Sequence, residues 1–141
     1  MTDMEAPSPM ETSLERAVEK LGDIVPLVMA RFFATHPEAK ASFAHHQPDN
    51  PARLQAEMVD NALYILMTWH SRRTEIEITL GTSVPHHVET LKVPTAWYAG
   101  LIEATIDVIA EGASPRSFAE HEMWAATRHS LSEFVVIEAV R

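Results

Sequence analysis

Nine prolines and a set of helix-capping residues, with only four glycines among 141 residues, cut this chain into helical lengths and leave little for a sheet. Thr12 with Glu15 three residues on reads as a capping box, opening a helix that stops near Gly22. A second helix runs from about Asp23 to Thr35, with Pro26 tolerated in its first turn and an apolar stripe of Ile24, Leu27, Val28, Phe32 and Phe33. Pro37 begins a short stretch ending near Phe43, and the segment His45 to Pro51 is a loop of breakers. Asn50 caps and Pro51 starts a long helix reaching about His70, with Leu54, Met58, Ala62, Ile65, Leu66 and Trp69 on its apolar face. Thr74 caps a weaker segment that Pro85 interrupts, since proline inside a helix costs about 3 kcal/mol. Pro94 opens a strong helix through Glu111, closed by Gly112, and Ser114-Pro115 opens the last one. The alternation in Ile76-Glu-Ile-Thr-Leu80 would suit a strand, but a lone strand without a partner is not stable. The expected class is all-α, and the unequal, proline-broken helices suit orthogonal packing better than a four-helix bundle.

The length fits one domain, expected over 12–141 behind a flexible N-terminal tail, 1–11. Apolar residues make up 46% and charged residues 22%, the balance of a chain that can bury a core. No cysteine is present, which removes disulfides, thiolate catalysis, Cys-ligated zinc, iron–sulfur clusters and covalent haem attachment. That suits a reducing compartment, and with no signal-like N-terminus the expectation is a cytoplasmic protein. A net charge of −9, with Arg72-Arg73 as the sole basic cluster, argues against nucleic acid. No apolar run is long enough to span a membrane. The scarcity of glycine excludes phosphate-cradling loops.

Eight histidines remain to be explained. They stand at 36, 45, 46, 70, 86, 87, 121 and 129, and no two are three or four apart, so no helical turn offers a paired-imidazole zinc site. His121 and His129 share a helix face but lie about 12 Å apart along the axis, too far for one metal. Exposed or capping roles are the favoured reading of His36, His121 and His129. The carboxylates read as solvated faces and the methionines as core filler. No catalytic constellation stands out. The pair His86-His87, beside Pro85 and ahead of an apolar helix, is the remaining candidate.

Two segments around that pair resemble bacterial globins, in particular flavohaemoglobin and globin-coupled-sensor globin domains. The first is His87-Val88, then Pro94, then Trp97-Tyr-Ala-Gly-Leu101, similar to the stretch that follows the haem-ligating histidine, with one extra residue before the aromatic pair. The second is Ala30-Arg-Phe-Phe-Ala-Thr-His-Pro-Glu-Ala-Lys-Ala-Ser-Phe43, similar to a family segment whose closing phenylalanine packs on haem. The resemblance spans roughly 12 to 138. It implies a globin-like fold of six to eight helices around haem b (iron protoporphyrin IX), with Phe43 stacked on it and a histidine on the iron. Spacing leaves His86 and His87 both open; His87 is preferred because it lies seven residues before Pro94, as in the family pattern.

A haem iron held by one neutral imidazole beside an apolar slot suits this composition. The expected cage is Met29, Phe32, Phe43, Leu54, Met58, Leu91, Val93, Trp97 and Leu101, with Arg53 or Lys92 as cations for the propionates. Tyr98 stands near the tyrosine that tunes the proximal imidazole in flavohaemoglobins, and Glu138 approximately near the glutamate. Met29 stands where they carry a distal tyrosine; the distal glutamine register falls on Leu54 or, if shifted, on Gln55 or Glu57. An apolar distal side withholds a hydrogen bond worth about 1–3 kcal/mol from bound dioxygen, which weakens O2 retention relative to CO or NO. His45 or His46 swinging in as a second axial ligand is an alternative, against a favoured loop-surface role.

The implied function is reversible binding of a diatomic gas (O2, NO or CO) for storage, transport or sensing, a role of binding more than of catalysis. Two readings stand beside it. One is a haem-free globin-like sensor, either a partner-binding or a fatty-acid-binding domain, motivated by Pro85 beside the ligand. The other is a haem enzyme turning over NO or peroxide with a separate reductase. A signalling partner, or a homodimer through the aromatic last helix, also stays open.

Overall fold

The computed structural model describes residues 8–140, which form seven α-helices and one π-helical turn, with no strand among them. In chain order these are α1 (Pro9–Leu21), α2 (Val25–Thr35), α3 (Ala39–His46), α4 (Pro51–Thr68), α5 (Arg73–Pro85), a π turn (His86–Thr90), α6 (Thr95–Ala113) and α7 (Phe118–Val140). The all-α expectation holds. The alternating Ile76–Leu80 run is helical, with Ile76 and Leu80 four residues apart on one buried face and Ile78 exposed.

Several boundaries differ from the sequence reading, each for a local reason. Helix α1 begins at Pro9 because Ser8 accepts a hydrogen bond from the Glu11 N–H at 3.1 Å. The Thr12 hydroxyl donates instead to the Ser8 carbonyl oxygen, so Thr12 lies inside the first turn. Pro9–Glu11 and buried Met10 thus belong to the folded body and not to the expected tail, whose residues 1–7 lie outside the described residues. Asn50 caps α4 as expected, accepting from the Arg53 N–H at 3.1 Å, with Pro51 first in the helix.

Gly112 does not close α6; it is buried within the helix. A Cβ there would come 2.5 Å from Leu21 Cδ1 and 3.1 Å from Ala17 Cβ, so glycine is what lets α1 cross α6 closely. The helix ends one residue later, at Ala113, and Ser114 caps it in the left-handed region. Pro85 does not break its helix at Thr74–Val84 either. Pro85 is the last residue of α5, and the chain goes on winding as the π turn, where the Leu91 N–H reaches back five residues to the His86 carbonyl. Proline removes one donor from the i→i−4 ladder and crowds the turn before it, so its effect falls on the last turn of α5, ahead of the π turn.

The core sits between α1, α6 and α7, with α2 and α4 closing it from the other side. Trp69, Leu66, Ile76, Leu80, Ile106, Ile109 and Leu131 are its largest fully buried members. On the rim, Arg31 and Arg128 converge on Asp107, tying α2 and α7 to α6.

Candidate functional site

Opposite that core, α3, α4, α5, the π turn and α6 stand apart around a cavity of about 570 Å3. Pockets that bury cofactors and drug-sized molecules run about 300–1,000 Å3. Its apolar wall comes from Phe32, Phe43, Leu54, Met58, Ile65, Leu91, Val93, Trp97 and Leu101. Phe43 meets Phe33 edge-on with centroids 5.8 Å apart, and Phe32 at 6.4 Å, so the corner between α3 and α2 is an aromatic cluster.

His87 also lines this cavity, and it is half-buried where its neighbour His86 is exposed. The His87 Nδ1 lies 2.8 Å from the Ser83 carbonyl oxygen, one turn back. A carbonyl only accepts, so Nδ1 carries the proton and donates; in the neutral ring the lone pair is then on Nε2. The Tyr98 hydroxyl donates to Ser83 Oγ at 2.8 Å, and that oxygen is 3.4 Å from Nδ1. Tyr98 meets the imidazole edge-on, 5.1 Å between centroids. Burial pushes the Tyr98 phenol up, against the opposing hydrogen bond to Ser83, so it stays a neutral donor at ordinary pH. One ring nitrogen of His87 is therefore fixed from behind, and the ring is held by three groups from two helices.

The backbone contributes to this arrangement. After the π turn, Lys92 adopts φ 59° and the Val93 N–H bonds the His87 carbonyl at 2.8 Å, a helix-ending bond that reverses the chain into α6. A left-handed lysine is costly, and π turns concentrate at functional positions.

Of the residues expected at the site, Phe32, Phe43, Leu54, Met58, Leu91, Val93, Trp97, Tyr98, Leu101, His86 and His87 all border the one cavity. Met29 is buried in the core and is not on its wall; Phe32, one turn on, is. Arg53 is exposed and paired with Glu57 at 3.1 Å, and Lys92 is exposed, so neither is a wall residue. Gln55 and Glu57 are likewise off the wall, whereas Leu54 is on it. His46 reaches the cavity from the last turn of α3 and His45 does not. Glu138 is buried on α7 with Oε1 against Gly81, where a Cβ would come within 3.1 Å. Ser83, the group that anchors His87, escaped the sequence reading; its signal was a hydroxyl residue one helical turn before the histidine.

Among the described residues no three His, Asp or Glu side chains gather as a metal site, and no helix is long and apolar enough to cross a membrane. Comparison with protein-family models, with curated proteins and with solved structures finds no match to this chain.

Proposed function

We propose that this chain is a globin-like protein that holds haem b in the cavity between α4 and α6, with His87 as the proximal ligand, and that it binds a diatomic gas reversibly. The observation that carries the reading is the contact behind His87: its Nδ1 lies 2.8 Å from the Ser83 carbonyl, which can only accept, so the other ring nitrogen is the one turned to ligate. Metal-ligating histidines characteristically donate their second ring N–H in this way. A wall of Phe43, Leu54, Met58, Leu91, Trp97 and Leu101 suits a broad apolar macrocycle. When bound, the haem would supply an iron able to take up O2, NO or CO.

The chain's own residues do the rest. Ser83 and Tyr98 orient the imidazole. Leu54, Met58 and Ala62 make the inner part of the α4 wall apolar, with Asn61 and Tyr64 exposed at its outer edge; a gas bound against the apolar part gains no hydrogen bond, which favours CO and NO over O2. Phe43 and Phe32 exclude water from the apolar end.

Haemin titration tests the proposal. The wild-type chain is expected to develop a Soret band and a five-coordinate ferrous spectrum, and His87→Ala to lose that spectrum. A chain that stays colourless contradicts the reading. Loss in His86→Ala alone would move the ligand by one residue. Steady-state NO consumption with an added reductase separates gas binding from turnover: a rate above that of free haem makes the protein an enzyme.

A further inference from the structure

The mouth of the cavity is built differently from its wall. Its exposed members are His46 on α3, Asn61 and Tyr64 on α4, Thr79 on α5 and His86 on the π turn. In a chain with 22% charged residues and a net charge of −9, none of the residues around the cavity is Asp, Glu, Lys or Arg. A buried wall is expected to lack charge; an exposed mouth on an acidic protein is not.

The charged neighbours are occupied or sit off the cavity. Glu57 is paired with Arg53, Glu77 with Arg73, and Glu75 with Arg72. The Glu75 carboxylate also accepts from the Tyr64 hydroxyl, and the Thr79 hydroxyl donates to the Glu75 carbonyl oxygen. Glu89 and Lys92 are exposed beyond the wall. His46, Asn61 and His86 contribute no side-chain hydrogen bond to another described residue. Their N–H groups are thus free for a ligand, and no carboxylate on the wall repels an anion.

We propose that this mouth recognises the carboxylate end of a large apolar molecule, with His46, Asn61 and His86 as the donors from three different elements. An imidazole N–H or an amide N–H bonds a carboxylate directly, and a protonated imidazole adds charge. The shared chemistry is an apolar body with one or two carboxylates, as in a dicarboxylate porphyrin or a long-chain fatty acid. The inference rests on the cavity being the ligand site proposed above, but not on His87 binding iron.

The test therefore uses metal-free probes. Binding of protoporphyrin IX and of its dimethyl ester is followed by quenching of the tryptophan fluorescence of the full chain, to which Trp97 on the cavity wall contributes beside Trp69 and Trp124, with circular dichroism as the check on folding. The free acid is expected to bind at least about tenfold tighter than the ester, each hydrogen bond to a charged group being worth that order. His46→Ala/His86→Ala should abolish the preference by weakening the acid alone, and Asn61→Asp should weaken the acid by placing a like charge beside it. His46→Lys/His86→Lys should restore the preference. Oleate set against oleyl alcohol distinguishes the sources: preference for oleate extends the site to fatty acids, and preference confined to the porphyrin acid restricts it to porphyrins. Equal affinity for acid and neutral partner with both probes, or equal losses for acid and ester in the double variant, overturns the proposal. Loss of haemin ligation in His87→Ala with acid selectivity intact leaves it standing, so its failure and that of the haem reading are separable.

Discussion

The two sides of this molecule use similar apolar residues in opposite ways. Around α1, α6 and α7 the side chains interdigitate: Ile109, Leu131 and Val135 are fully buried, and Gly112 brings α1 close enough to touch. Around α3, α4 and the π turn, Phe43, Leu54, Met58, Trp97 and Leu101 are only partly buried, because they face a cavity of about 570 Å3 in place of one another. Side chains that face a gap have no partner atoms across it, and the missing dispersion attraction weakens that side. The difference is that the first region holds the fold together and the second is held open by it.

The largest expected effect contrasts one leucine from each side. Leu131→Ala should cost about 2–5 kcal/mol in denaturant unfolding, whereas Leu54→Ala, already beside empty space, should cost under about 2 kcal/mol without ligand. Equal losses would break the distinction. The glycines sharpen it next. Gly112→Ala drives a methyl into the fixed Ala17 Cβ and should destabilise by about 1–3 kcal/mol. Gly100→Ala meets His36 Nε2 at 2.7 Å, the far end of a half-buried ring that can turn aside. Its steric cost is offset by a helix-propensity gain of about 1 kcal/mol, leaving Tm nearly unchanged.

Tyr98→Phe removes the hydroxyl that fixes Ser83 and should cost about 1 kcal/mol of stability. On the haem reading it also lowers haemin affinity by about tenfold, a change a purely structural hydroxyl would not produce. The smallest effect concerns acid. Burial would raise the Glu120 carboxyl, but hydrogen bonds from Ser13, the Arg116 N–H and Arg16 together hold it below its ordinary value. Its contribution is complete above the ordinary glutamate value of about 4.3 and disappears as pH falls through the depressed one. Tm of Glu120→Gln should lie below wild type at neutral pH and converge with it in strong acid; a constant gap would remove Glu120 from the acid response.

Much of the helical order was legible because caps and apolar periodicity act locally. Asn50-Pro51 is such a start, and the faces containing Leu54, Met58 and Ala62 follow from spacing alone. The pairing of Phe43 with His87 across one cavity was legible only through the globin resemblance, since the two are distant in sequence. Other features depended on tertiary context. Thr12 and Glu15 match a capping box, but Ser8 one turn earlier captured the N-terminus. Pro85 reads as a stop, and α5 does end there, yet the chain goes on winding as a π turn that nothing local announces. Gly112 reads as a stop because nothing local reveals that Ala17 and Leu21 lie against it. Arg53 and Lys92 were candidate anion partners by type, but the direction of a long side chain is set by its neighbours, and Glu57 claims Arg53.

Imidazole rescue of His87→Gly tests the central claim most directly. The variant keeps the apolar wall and removes only the ring anchored on Ser83. With haemin and ferrous reduction, the account predicts loss of the wild-type five-coordinate histidine spectrum and its return when free imidazole is added. A His87→Gly protein whose spectrum and haemin affinity equal those of wild type, with or without imidazole, would contradict it.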